Sequence, residues 1–209
     1  MKSKRFTEAD RSKYCPLYAG SLERKMPEKL AVLEIRVLMG LTASAMKDAA
    51  LPGADRSAAR GAGSEKGFSI LPCRGTRKAC LREYQRYTVS CLQNRSGKEL
   101  ALLRKAMYRK AFAAGRMLGK LPGMTNDAAR TRLIRLLYKN IDIQIVGSMP
   151  GEITIPRCSF SRCYTPQMCA VMSGMDAGII CGIFGGGSLT FTRRLTEGCP
   201  ACQAVYRRN

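Results

Sequence analysis

Near residue 140 the spacing of apolar residues changes from a helical period to an alternating one, and that switch constrains the fold more than any other feature. Upstream, "PEKLAVLEIRVLMGLTASAMKDAA" over 27–50 places Leu30, Leu33, Val37 and Leu41 on one helical face, with Pro27 suited to the first helical position. Ser96-Gly97-Lys98-Glu99 has capping-box spacing and opens a helix to about Leu118, with Leu100, Leu103, Met107 and Ala111 as its stripe. A further helix follows over 128–139 with Leu133, Ile134 and Leu137 inward. Downstream, "IDIQIVG" and "EITIPRC" alternate as strands. Thr165 as N-cap and Pro166 at N1 then start a helix that "GGG" at 185–187 ends. "SLTFTRRLTE" and "CQAVYRR" read as the two strands of a hairpin turned at Gly198.

The expected fold class is therefore α+β, with N-terminal helices packed on a C-terminal antiparallel β-β-α-β-β unit. Three regions follow: an N-terminal helical segment over 1–50, a low-order basic linker over 51–95, and an α+β core over 96–209. The linker is read from the Gly, Pro, Ala, Ser and Arg content of "LPGADRSAARGAGSEKGFSILPCRG".

Thirty-six Lys and Arg against fifteen Asp and Glu give a net charge of +21, spread over the first two-thirds and thinning where the cysteines gather. Such a chain attracts polyanions without being built for them. It carries no RNP motif, zinc-finger His pair or basic region with heptads, so no specific nucleic-acid partner is expected. No apolar signal region opens the chain and no run approaches a membrane span, so a cytoplasmic protein without a membrane partner is expected. Reduced thiols follow from that compartment, and clustered cysteines there point to metal or catalysis rather than to disulfides.

Ten cysteines and no histidine narrow the chemistry further. Ser-His-Asp and Cys-His catalysis and His-ligated zinc are excluded. Cys169 and Asp176 stand seven residues apart, two helical turns, and so share a face. Cys158 ends a strand and Cys202 begins one, so these four can converge on a pocket, with Cys163 and Cys199 less firmly placed. Each cysteine alone is as readily a small core residue.

The stretch "CSFSRCYTPQMCAVMSGMDAGIICGIFGGGSLTFTRRLTEGCPACQAVY" resembles the C-terminal half of the L-2-amino-thiazoline-4-carboxylic acid hydrolase family, over about 140–207. The resemblance rests on Cys158 closing a strand, Cys169 and Asp176 on the next helix, an Arg/Thr-rich strand, and Gly198-x-x-x-Cys202 opening the last strand. Gln167 stands where the family has an acidic residue. The resemblance implies a small-molecule substrate and hydrolytic opening of a thiazoline ring to N-carbamoyl-L-cysteine. It further implies Cys169, Asp176, Cys202 and Cys158 as catalytic residues, and Arg193, Arg194 and Thr196 as substrate-binding. Asp176 would serve as general acid or base, and an arginine would clamp the substrate carboxylate. The thiols would act directly, Cys169 as a nucleophile among the options, or Cys158, Cys169 and Cys202 would hold Zn²⁺. The alternative is a non-catalytic small-molecule- or zinc-binding module. Within "CPAC", Cys202 is expected to matter and Cys199 to sit in a turn, rather than the two forming a metal knuckle.

Overall fold

The structure, a computed structural model, describes residues 28–49 and 75–209, and within them the change of period at residue 140 separates helices from strands. The helices are α1 (Glu28–Asp48), α2 (Arg77–Leu92), α3 (Gly97–Leu118), α4 (Asp127–Asn140) and α5 (Pro166–Phe184). The strands are β1 (Ile143–Gly147), β2 (Gly151–Cys158), β3 (Ser188–Arg193) and β4 (Cys202–Arg207), and α5 connects β2 to β3. All neighbours in the sheet are antiparallel, in the order β1-β2-β4-β3. The α+β class and the β-β-α-β-β unit thus hold.

Local chemistry sets the helix boundaries. The Ser96 hydroxyl accepts from the Glu99 N–H while the Glu99 carboxylate accepts from the Ser96 N–H at 2.8 Å, completing the capping box. The Thr165 hydroxyl accepts from the Met168 N–H at 3.2 Å, and Pro166 follows at the first helical position. Asn126 caps α4 through its side-chain oxygen, 2.9 Å from the Ala129 nitrogen.

Four points of the sequence reading are corrected or refined. Residues 77–92, assigned to the linker, form α2, which buries Cys80, Leu81, Tyr84, Thr88 and Leu92. That four-residue rhythm lies beyond the Gly- and Pro-rich stretch 51–75 on which the linker reading rests. The rest of the expected linker up to residue 74, together with Pro27 and the chain before it, lies outside the described residues. Second, Leu30, Leu33, Val37 and Leu41 do share one face of α1, but Leu30 and Leu33 are 49% and 45% exposed while Ala31, Ile35, Leu38, Met39 and Met46 are buried. The Leu30–Leu41 row faces a cavity. Third, α5 is 19 residues long and apolar enough to cross a membrane by length and composition, contrary to the sequence reading. However, 67% of it lies buried inside the protein, as a central core helix requires. The expected strand at "SLTFTRRLTE" also stops at Arg193 and gives way to a 3-10 turn over Leu195–Glu197.

Among the described residues, α3 and α5 make the closest helix pairing. Gly174, Gly178 and Gly182 of α5 lie against the Arg104, Tyr108 and Phe112 carbonyls of α3, so the two helices run parallel. A Cβ at Gly178 would stand 2.5 Å from the Tyr108 oxygen, well inside ordinary contact. These glycines let the backbones touch, so side chains on the other faces of α5 are free to line a cavity or meet the sheet. One such contact sets Phe184 4.8 Å from Tyr206, centroid to centroid.

Candidate functional site

The cavity has a volume of about 330 Å³ and lies among α1, α4, α5 and the strand ends near Cys158. Most of its wall is apolar, from Leu30, Leu33, Val37 and Leu41 on α1 to Met172 and Ile179 on α5. Into this wall α5 delivers Cys169 and Asp176, and β2 delivers Cys158. The seven-residue spacing therefore does place Cys169 and Asp176 on one face. A pocket of this size, apolar with a few convergent polar groups, is the usual form of a small-molecule site.

Asp176 lies deep in the protein while keeping part of its surface open to the cavity. Burial pushes its carboxyl up to about 6, against the opposing pull of the Tyr138 hydroxyl and the positive field of Arg194. The Tyr138 hydroxyl donates to Asp176 Oδ1 at 2.7 Å. A second acid lines the same cavity. Burial pushes Glu34 of α1 up to about 8, only partly offset by the Asn140 amide, which donates to its Oε2 at 2.6 Å. Thus the C-terminal end of α4 supplies one hydrogen-bonding side chain to each acid.

Sequence reasoning missed Glu34, Tyr138 and Asn140. A signal existed for the first: Glu34 falls four residues after Leu30 and three before Val37, inside the apolar row, where an acid is out of place. Nothing comparable marks Tyr138 and Asn140.

The remaining predicted residues stand behind the cavity wall. Cys202 is buried at the start of β4, opposite Ile155, and its sulfur accepts from the Leu195 N–H at 3.3 Å. It is close enough to Cys158, Cys169 and Asp176 for their charges to interact, but it does not line the cavity. Arg194 pairs with Glu197 at 3.5 Å and stacks 5.2 Å from the Phe191 ring centroid. Arg193 is exposed on the end of β3, and neither arginine reaches the cavity. The Thr196 hydroxyl is buried beside the Cys169 thiol but meets no partner with hydrogen-bond geometry. The expected substrate clamp from Arg193, Arg194 and Thr196 is therefore not assembled at the cavity. The chain leaves β3 into the 3-10 turn, which carries Arg194 away from it.

Burial also governs the thiols. It pushes Cys158 up to about 12 and raises Cys169 and Cys202, the latter two against the Thr196 hydroxyl and the Leu195 N–H respectively. All three are thus held protonated at neutral pH, which disfavours a resting thiolate nucleophile. Among the described residues no three Cys, Asp or Glu side chains are grouped so as to hold a metal ion, so the zinc set of Cys158, Cys169 and Cys202 does not form. Gly198 has φ +80° and turns the chain, as the left-handed region allows for glycine. Cys199 follows within that turn, half-buried, while Cys202 is buried in the strand. Cys91, Cys158, Cys163, Cys169, Cys181, Cys199 and Cys202 are free thiols, whereas Cys80 is held in a disulfide, which corrects the expectation of reduced thiols at that position.

Compared with protein-family models, curated proteins and solved structures, the chain matches none.

Proposed function

We propose that this chain is a hydrolase that opens a small heterocycle bound in the cavity, with Asp176 as general base and Glu34 as general acid. The observation that carries the reading is a carboxylate pushed up to about 6 in the wall of an otherwise apolar cavity of about 330 Å³. A base near neutrality is half-ready to take a proton and strong enough to hold it. Glu34, pushed up to about 8, keeps its proton at pH 7 and can give it away.

For a 2-aminothiazoline ring the step runs as follows. Water adds to C2 while Asp176 takes one of its protons. The C2–S bond then breaks, and the sulfur leaves with the proton donated by Glu34. The proton left on the C2 hydroxyl passes to the ring nitrogen, turning the isourea into a urea, so one water is consumed and the product is an open urea bearing a thiol. Proton return from Asp176 to Glu34 through solvent resets the pair.

L-2-amino-thiazoline-4-carboxylate is the substrate to which the resemblance points. The cavity itself favours a related heterocycle without a carboxylate, because among the described residues no lysine or arginine lines it and two acids do. An anionic group there would be desolvated and unpaired. The predominance of apolar wall favours a second reading, a non-catalytic binding module for the same class of molecule.

The test incubates the full chain with 2-amino-2-thiazoline and with its 4-carboxylate, and separates ring-opened product by chromatography. Turnover of the ring without the carboxylate, lost in Asp176→Asn, supports the hydrolase. Binding by calorimetry without product would replace it with the binding module. Binding of neither compound would defeat both readings.

A further inference from the structure

A second concavity, an open cleft of about 890 Å³, lies between α2, the C-terminal half of α4 and the open end of the β1–β2 pair, where Ile143 faces Cys158. Lys78 and Arg82 enter it from α2, Arg135 and Lys139 from α4, Arg157 from β2 and Arg162 from the 3-10 turn that follows. One acid, Asp142, lines it, and Arg77 already holds that acid at 2.7 Å. Six cations to one acid exceeds the ratio of the whole chain, 36 to 15, so the cleft concentrates charge beyond what composition alone would place there. Lys78, Arg82, Arg157 and Arg162 are exposed, and among the described residues none of the four pairs with an acid. A cleft lined by one sign of charge focuses its field and concentrates counter-ions.

We infer that this cleft is a binding site for a compact polyanion carrying two or more phosphate groups. Its shape decides against an extended polymer. The cations converge on one concavity from four segments instead of tracking along a single surface. No aromatic side chain lines it among the described residues, so bases would find no stacking platform of the kind single-stranded nucleic-acid sites use. Arginine suits phosphate through paired N–H donors, and three of the four unpaired cations are arginines. Gln85, Gln144 and Ser159 add neutral hydrogen-bonding groups to the same walls. The inference does not depend on the hydrolase reading. The cleft meets the inner cavity only at shared wall residues, Ile143 and Cys158.

The probe is inorganic triphosphate, titrated into the full chain by calorimetry at moderate salt. Arg82→Glu and Arg157→Glu should each weaken binding by about tenfold or more, the loss expected for a charge-assisted hydrogen bond. Arg109→Glu, an equal charge change at an exposed position of α3 outside the cleft, should leave affinity within about twofold. Because all three side chains are exposed, circular dichroism should show each variant folded. Vesicles containing a phosphoinositide are titrated in parallel. Competition between vesicles and triphosphate, with vesicles the tighter, assigns the phosphates to a lipid headgroup. Preference for triphosphate assigns them to a soluble ligand, and either outcome supports the site. Equal weakening by Arg109→Glu and the cleft variants would overturn the proposal and leave diffuse attraction to a basic protein. So would tighter binding of a short single-stranded DNA that the cleft reversals do not weaken.

Discussion

Replacing Gly178 by alanine probes the contact that positions α5, and its cost can be worked from the geometry. The added Cβ would lie 2.5 Å from the Tyr108 carbonyl oxygen, 2.7 Å from the Ala111 Cβ and 2.9 Å from the Phe112 nitrogen. Two of these three atoms are backbone and the third is itself a Cβ, so none can rotate away. The parallel helices must part instead, although Gly174 and Gly182 hold them at the same distance on either side. Overpacking of this kind costs about 1–3 kcal/mol, and a rigid backbone obstacle belongs at the upper end. Alanine recovers about 1 kcal/mol of helix propensity relative to glycine. The net loss is about 2 kcal/mol, or ~4–8 °C in midpoint for a chain of this length. Thermal and urea unfolding followed by circular dichroism would measure it. Gly97→Ala is the control, since a Cβ there meets nothing within 4 Å and should leave stability unchanged or slightly improved. If Gly178→Ala proves as stable as Gly97→Ala, the close packing of α3 on α5 is wrong.

Three further outcomes follow from the site. Glu34 is pushed from its ordinary 4.5 up to about 8 by burial, so between those values the folded chain retains a proton that the unfolded chain has lost. Its contribution to stability is complete below pH 4.5 and declines as the pH rises to about 8; unfolding measured across that window should show the decline, and Glu34→Gln should flatten it. Tyr138→Phe removes the 2.7 Å hydrogen bond that holds Asp176 down, so any ligand-binding or rate profile governed by Asp176 should move its limb upward from about 6. A profile that stays in place would separate that limb from Asp176. Iodoacetamide mapping by mass spectrometry should label exposed Cys163 well before Cys202, which is buried at 5% exposure; labelling in the reverse order would contradict the position given to Cys202.

Much of the architecture was legible because it depends on local signals. The capping box at Ser96, the Thr165-Pro166 start and the alternation after residue 140 each act within a few residues, and each appears where the pattern placed it. The linker reading rests on the composition of 51–75 and does not carry on to 77–92, which has no Gly or Pro and holds the rhythm of Cys80, Tyr84, Thr88 and Leu92. For the site, Cys169 and Asp176 share a cavity wall because helical spacing alone decides that. Arg193 and Arg194 rest on the resemblance rather than on any local pattern, and they lie outside the cavity because the backbone turns after Arg193. Glu34 and Asn140 lie 106 positions apart in sequence, and no local pattern can report such a pairing.

The glycine face and the acidic wall belong to one helix, and their separation is a matter of angle. Asp176 stands two residues from both Gly174 and Gly178, which at about 100° per residue puts it roughly 200° around from each. The face that lets α5 touch α3 is therefore opposite the face that carries the acid. Closer approach on the first leaves the second free to border a cavity instead of a packed interface. Within that cavity the two acids share an apolar environment but not their partners. Among the described residues, Asp176 has the Tyr138 hydroxyl and the field of Arg194, while Glu34 has the Asn140 amide. Burial raises both, the unequal opposition leaves one near 6 and the other near 8, and neutral pH falls between them. Arg194 thereby acquires a role without touching the cavity: its charge helps keep Asp176 the more acidic of the pair. On the proposed reading, the division of a carboxyl pair into base and acid is set by what stands behind the wall.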